Sequence, residues 1–426
     1  MTVIIAGGGI GGLSLGLSLH QLGLHFHIVE AVSHVKPLGV GINLQPHAVR
    51  ELFDLGLEKQ LDGVGLRTEE VAYFSTQGQL IWSEPRGLEA GYRWPQYSIH
   101  RGELQFLLYR ELLARCGAGV ITTGAALTGW HEDAHGVVVQ LENRKTGDKL
   151  EDLHGQVLVG ADGINSTVRA ALYPDEGAAK WRGTMMWRGV TRAKGFLSGR
   201  SMAMAGTGAR KFVCYPIQDL GGDGEQRINW IADLALPADY PWDKQDWNRE
   251  GHLHDFAPQF ADWQFDWLDI PALINAAEGI WEYPMVDRDP LRAWSHGRVT
   301  LLGDAAHAMY PIGSNGATQA IIDARVLARE LRRGQGKAAL AAYDAERREA
   351  VNRLVMLNRG DGPDKVLDEV AARAPDGFDD IADVMSDREL ADIAQSYKAV
   401  AGFDVDQLNA RAPLIDPAGL KGTDNR

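Results

Sequence analysis

The chain has 426 residues, 45% hydrophobic and 23% charged, enough for a large core and for more than one domain. Its formal net charge of -14 argues against a nucleic-acid binder, whose footprint is basic, and against adhesion to an anionic membrane. Cys116 and Cys214 are too few for a disulfide framework and stand in no metal-ligand spacing, and no apolar run reaches transmembrane length, so a cytoplasmic protein without a metal is expected.

Val3-Ile4-Ile5-Ala6 predicts a short strand that stops at Gly7-Gly8-Gly9-Ile10-Gly11-Gly12. Leu13, Leu15, Leu17, Leu19 and Leu22 give the next segment a helical reading, and Phe26-His27-Ile28-Val29 predicts a second strand ending in Glu30. Strand, glycine turn, helix, strand and acid together predict a dinucleotide-binding βαβ unit. Gly7 permits the tight turn, Gly9 lets a pyrophosphate approach the backbone, and Gly12 lets helix and strand pack closely. The helix N-terminus offers free N–H groups to phosphates, and Glu30 is placed to accept from an adenosine ribose.

Gly39 and Gly41 then lie in a loop, Pro37 to Pro46, which is either a simple turn or a second close approach to a ligand. A helix is expected from Pro46 to Leu57, and a strand pair over Val71 to Trp82 with its turn at Gly78. Arg101 begins a helix running to Arg115, where it either meets a phosphate or is a surface residue of the first turn. Further strands are expected at Gly119 to Thr123, Val137 to Leu141 and Gln156 to Gly160, the last entering the turn Asp162-Gly163-x-x-Ser166-x-x-Arg169. Between Trp181 and Pro284 strand-like runs recur (Thr184–Thr191, Lys211–Ile217, Arg227–Leu234, Gly279–Pro284), with helix-like material between Trp247 and Ala277. Eight of the twelve tryptophans fall in this stretch, Trp242 and Trp247 among them, as core packing or as the walls of a planar-ligand pocket. Arg298 to Leu302 is a buried strand leading into Gly303-Asp304-Ala305-Ala306-His307, followed by Pro311-x-Gly313-x-x-Gly316. Helices are expected from Ala317 to Arg333, Leu340 to Arg359 and Asp387 to Val400, before a polar, loose last dozen residues.

The three motifs in this order resemble the single-component FAD-dependent aromatic hydroxylases of the para-hydroxybenzoate and salicylate hydroxylase family. Pro37 to Pro46, Trp82 to Gly87, Tyr97 to Leu104, Trp187-Arg188-Gly189-Val190-Thr191 and Tyr283 to Pro290 resemble the branch that hydroxylates phenazine carboxylates. The resemblance implies an α/β fold: a Rossmann-like FAD-binding domain, a mainly antiparallel β-sheet substrate domain and C-terminal helices. It divides the chain into a cofactor part (1–70, 99–172 and 286–350), a substrate part (71–98 and 173–285) and a helical tail (351–426). NADH or NADPH would reduce FAD, and O2 adding at the flavin C4a would give the hydroperoxide that hydroxylates an aromatic or N-heteroaromatic acid, with or without decarboxylation. A monomer or homodimer is expected.

By the same resemblance Glu30 would hold the adenosine ribose, Arg101 the FAD phosphates and Asp304 the ribityl or pyrophosphate region. Gly7, Gly9, Gly11, Gly12, Gly41, Leu127, Gly316 and Ala317 complete the cofactor set, and Asp162 is expected to tie the cofactor and nicotinamide regions together structurally, with Asp304 rather than Asp162 touching FAD. His307 reads as a brace for its loop. Trp187, Tyr215 and Trp230 are the expected substrate-facing residues, with Met309 and Pro311 closing the flavin side. No Ser-His-Asp order or carboxylate pair stands out, as suits chemistry done by a cofactor. A reductase or cyclase on the same scaffold, or a flavin-bound protein without turnover, is the alternative.

Overall fold

Val3, Ile4 and Ile5 are fully buried in the strand Thr2–Ala6, because this strand is covered on both faces and needs apolar residues at successive positions. In the computed structural model, which describes residues 1–37, 39–237, 239–240, 249–360 and 362–416, it lies inside a six-stranded sheet. The order is Ser295–His296, Val299–Leu301, Val157–Gly160, Thr2–Ala6, His25–Glu30 and Ile121–Thr123, and all pairings but the first are parallel. The helices Ile10–Gln21, Arg101–Cys116 and Gly316–Arg333 pack against it in one continuous core. Trp242, Trp247 and residues 417–426 lie outside the described residues.

The second large sheet has seven strands in the order Ala277–Asp287, Lys180–Lys194, Glu225–Ala235, Arg210–Gly221, Ser201–Gly206, Glu70–Phe74 and Leu80–Pro85. Its pairings are antiparallel except between Ser201–Gly206 and Glu70–Phe74. The architecture is therefore α/β with a mainly antiparallel second sheet, as the sequence predicts. The turn expected at Gly78 joins its last two strands, with φ of 79° at that glycine. The helix-like material before Ala277 is shorter than expected: Leu253–Phe256, a 3-10 turn at Ala257–Phe260, and Ile270–Asn275, with the two-residue strands Gln264–Phe265 and Leu268–Asp269 between them.

Four of the expected borders fall inside elements. Residues 70 and 71 lie within the strand Glu70–Phe74, and residues 285 and 286 within Ala277–Asp287. Residue 350 lies within one unbroken helix, Lys337–Arg359, and residues 98 and 99 lie within Gln96–His100, which pairs with Gly41–Leu44 and Gly65–Thr68. Beyond Arg359 the tail folds back on the molecule. Its helix Asp387–Ala401 starts at a capping box of Ser386 and Glu389 and stops at Gly402 in the left-handed region. Tyr397 on that helix is buried, accepts a hydrogen bond from Asn315 Nδ2 at 2.9 Å, and reaches Asn358 Oδ1 at 3.1 Å.

Candidate flavin and aromatic site

Three parallel strands are neighbours, and the three sequence motifs leave their C-terminal ends. Gly7 follows Thr2–Ala6, Asp162 and Gly163 follow Val157–Gly160, and Gly303-Asp304 follows Val299–Leu301. Connections to the first strand diverge to either side, so a crevice opens at the strand ends, where ligands of such sheets bind. Glu30 ends the strand on the other side of the first.

The crevice consists of two hollows that meet at Gly9, Ala161 and Gly163. Gly7, Glu30, Leu127 and Asp162 line the outer one. Gly9, Gly11, Gly41, Arg101, Asp304, Gly316 and Ala317 line the inner one, together with Pro311 and Met309. Gly12 lines neither. A Cβ there would stand 2.0 Å from the Gly7 carbonyl oxygen, so its role is the close packing of helix on turn. Gly7 has φ of 109°, and a Cβ on it would come within 2.3 Å of the Ala161 carbonyl oxygen. A Cβ on Gly9 would meet nothing within 4 Å, so the backbone there is bare toward the crevice.

These features fit a dinucleotide cofactor such as FAD. The helix Ile10–Gln21 has no side-chain cap and no acid in its first turn, which leaves its N–H groups and positive dipole end for phosphates. Gly316–Arg333, starting beside Asp304 and Pro311, is likewise uncapped and free of first-turn acids. The Glu30 carboxylate is fixed by the Gly8 N–H at 2.6 Å and the Val32 N–H at 2.7 Å, so it faces the outer hollow in one orientation.

Asp162 and His307 are braces. Asp162 Oδ1 accepts from Ser166 Oγ at 2.5 Å and Oδ2 from the Val168 N–H at 3.2 Å, closing the turn into the helix Thr167–Leu172. Burial pushes the Asp162 carboxyl pKa up, against these hydrogen bonds. His307 is buried behind the crevice wall and meets Asp323 Oδ2 through Nε2 at 2.5 Å. Burial opposes charge on Asp323, but His307 and Arg347 outweigh it and hold the carboxyl below the usual range. Asp323 also accepts from the Gly303 N–H at 3.2 Å, so the pair anchors the turn that presents Asp304.

The seven-stranded sheet supplies the other wall of the inner hollow. Tyr215 lines it, as expected, but Trp187 and Trp230 do not. Both tryptophans point to the opposite face, where Trp187 stacks on Phe256 with centroids 5.2 Å apart and Trp230 stacks on Phe212 at 5.9 Å. Strand alternation puts Met186, Arg188 and Ile231, which adjoin those tryptophans, toward the crevice instead, with Asp233 on the same face two places beyond Ile231. Large apolar rings are most useful in a closed core, and here that core lies behind the sheet.

Arg188 is the residue the sequence reading passed over. Its Nη2 donates to the Gly41 carbonyl oxygen at 2.7 Å, it hydrogen-bonds Tyr215, and it lies 5.9 Å from the Tyr283 ring centroid. Burial, opposed by Arg188, pushes the Tyr215 hydroxyl pKa up to about 12, so this hydroxyl is neutral at physiological pH. Lys211, Asp233 and Asp364 also line the hollow and were not anticipated. A usable signal existed for one of them: Asp233 interrupts the apolar stretch from Trp230 to Leu236. Five of the nine methionines (Met186, Met202, Met204, Met285, Met309) line the same space.

The model of an FAD binding domain family matches residues 1–217 and 278–358. The phenazine 1,6-dicarboxylic acid hydroxylase PhzS of Lysobacter antibioticus is 44% identical over 361 residues, 84% of this chain and 89% of that protein. The aurachin C monooxygenase/isomerase of Stigmatella aurantiaca is 34% identical over 365 residues, covering 83% and 87%. Among solved structures, a variant of Klebsiella pneumoniae HpxO complexed with FAD superposes with a TM-score of 0.69 at 25% identity, over 94% of each chain. The bare glycine turn, the two uncapped helix ends and these likenesses lead to one assignment: the chain belongs to the FAD-binding family of flavin-dependent aromatic monooxygenases.

Proposed function

We propose that this enzyme hydroxylates a planar N-heteroaromatic acid of phenazine type, using O2 and NADH or NADPH. One observation supports the reading above others: a single hollow brings the glycine-rich loops of the first sheet against a methionine-lined sheet face that bears one guanidinium, Arg188. Flavin, when bound, supplies the O2 activation and oxygen transfer that no side chain can perform. The chain would bind the cofactor along Glu30, Gly9, Arg101, Asp304 and the start of Gly316–Arg333. Arg188 would hold the substrate carboxylate, since a guanidinium offers a planar pair of donors that suits it. Tyr215, un-ionised, would donate or accept a hydrogen bond beside it without acting as a base.

Thioether side chains are apolar, polarizable and adaptable, and they pack well on aromatic ring edges. The five methionines would therefore grip a flat polycycle and keep water from the reacting carbon. The likeness to a phenazine dicarboxylate hydroxylase supports the phenazine ring system as the core of the substrate. In this reading the cofactor is held mainly by 1–70, 99–172 and 286–350, and the aromatic mainly by 71–98 and 173–285. The setting would be cytoplasmic, with the chain a monomer or homodimer.

The test is a panel of aromatic acids, phenazine-1-carboxylate included, with NADH or NADPH consumption and product mass as readouts. A stimulated rate and a product heavier by one oxygen are expected, and loss of CO2 in addition would mark the decarboxylative variant. Oxidation of the nicotinamide that no aromatic stimulates would overturn the reading in favour of a reductase or cyclase.

A further inference from the structure

We propose that Asp233 and Asp364, bridged by Lys211, form a second substrate-recognition point that accepts a hydrogen bond from an N–H or O–H group on the aromatic. The inference rests on the reading of the inner hollow as the aromatic's site. Lys211 and Asp233 face each other across adjacent strands, whereas Arg188 lies opposite Ile231, two positions along the same strand from Asp233. The sheet face thus presents two separate polar points, the guanidinium and the acid pair, with methionines around them.

Lys211 Nζ donates to Asp364 Oδ2 at 2.5 Å and lies 3.5 Å from Asp233 Oδ2. All three residues are more than nine-tenths buried, with relative exposures of 7%, 4% and 6% for Lys211, Asp233 and Asp364. Burial works against charge on Lys211, but Asp364 and then Asp233 outweigh it and hold the ammonium pKa above its ordinary value. One ammonium is thus shared between two acids. The other oxygen of each acid, Oδ1, is buried and has no hydrogen-bond partner. Both belong to residues of the cavity wall. Buried acceptors left unpaired are costly, and a donor arriving from the cavity would satisfy them.

The chemistry that this point recognises follows from its charge. A hydroxyl, an amine or a ring N–H would be welcomed, because each brings a proton to an acceptor. A second carboxylate would be rejected, because it would face two acids across one lysine. Phenazine acids with one carboxylate and a donor at the far end are therefore the preferred class, and dicarboxylates are disfavoured. A salt link that merely ties the turn Gly362–Asp364 to the sheet would make no such distinction.

The experiment compares phenazine-1-carboxylate, 6-hydroxyphenazine-1-carboxylate and phenazine-1,6-dicarboxylate on the FAD-loaded protein. Each dissociation constant is read from the change in the flavin spectrum without reductant, and KM is measured where turnover occurs. Asp364→Ala leaves Lys211 paired with Asp233, and Asp233→Asn keeps the shape of the site; flavin content and Tm are checked for both. In the wild type the hydroxylated acid should bind about tenfold more tightly than its parent, and the dicarboxylate more weakly. In either variant the hydroxyl advantage should shrink to less than about threefold while the parent's Kd holds. Equal shifts for all three acids, or a lower Tm with unchanged ratios, would overturn the recognition point and leave a structural ion pair. Binding of none of the acids to the wild type would instead overturn the phenazine reading, and this proposal with it.

Discussion

Asp162 and Asp304 look alike in the sequence, each ending a buried strand beside a glycine, yet their hydrogen bonds separate them. Asp162 spends both oxygens on Ser166 and Val168. Asp304 is exposed to the crevice, and among the described residues its carboxylate has no partner. Asp304→Ala should therefore weaken FAD about tenfold to a hundredfold, the loss of a hydrogen bond to a charged group worth roughly 1.5–3 kcal/mol. Asp162→Ala should lower Tm and cost less affinity. Titration of apoprotein with FAD, beside a thermal melt, checks the ranking, and the reverse order would refute it. Individual residues were legible where the backbone itself was constrained, as at Gly7, Gly9 and Gly12. They were not legible on the second sheet, where alternation showed that Trp187 and Arg188 point to opposite faces but not which face is the crevice.

Elements were legible where they had a period or a cap, and their docking was not. The tail helix Asp387–Ala401 follows from its apolar spacing, but nothing local announces that Tyr397 reaches Asn315 in the loop beside Gly316. The strand Ser201–Gly206, made of Ser, Met, Ala and Gly, lacks β-branched residues and exists through its partners on both sides. Tail docking has a pH signature. His47, in the helix Pro46–Asp54, is buried and stacks on Phe403 of the tail with centroids 5.1 Å apart and planes at 12°. Burial, then Arg347 and Arg411, hold its pKa down at about 3. The unfolded chain takes up this proton near pH 6.5, whereas the folded chain resists it until far lower pH, so the unfolded state binds more protons in between. Stability is then complete above about pH 6.5 and falls as the pH drops through that window, by about 2 kcal/mol between pH 7 and 5. His47→Gln should remove that part of the slope. Denaturant unfolding of both proteins at pH 7 and pH 5 measures it, and parallel losses in the two would show that His47 is not the group responsible.

At the scale of the whole molecule, the three distant motifs meet because their strands are neighbours in one parallel sheet, an arrangement that the βαβ pattern at the N-terminus already suggests. Among the described residues there is no second sheet of this kind, and Gly221–Gly224 is the turn of a hairpin between Arg210–Gly221 and Glu225–Ala235. One nucleotide fold cannot hold FAD and a nicotinamide in the same manner, so NADH or NADPH must reach the flavin through an opening in the crevice. Oxygen transfer makes the contrary demand, since the methionine-lined hollow must exclude water while it proceeds. A protein that meets both demands alternates between an open and a closed arrangement, and an aromatic that binds the two unequally shifts their balance. Flavin reduction in the absence of O2 should then be markedly faster with a bound aromatic than without it. Stopped-flow absorbance at about 450 nm follows the reduction, the usual band of the oxidised cofactor. Equal rates with and without an aromatic already known to bind would rule out this gating while leaving the monooxygenase assignment in place, because the assignment rests on the crevice and the gating on its movement.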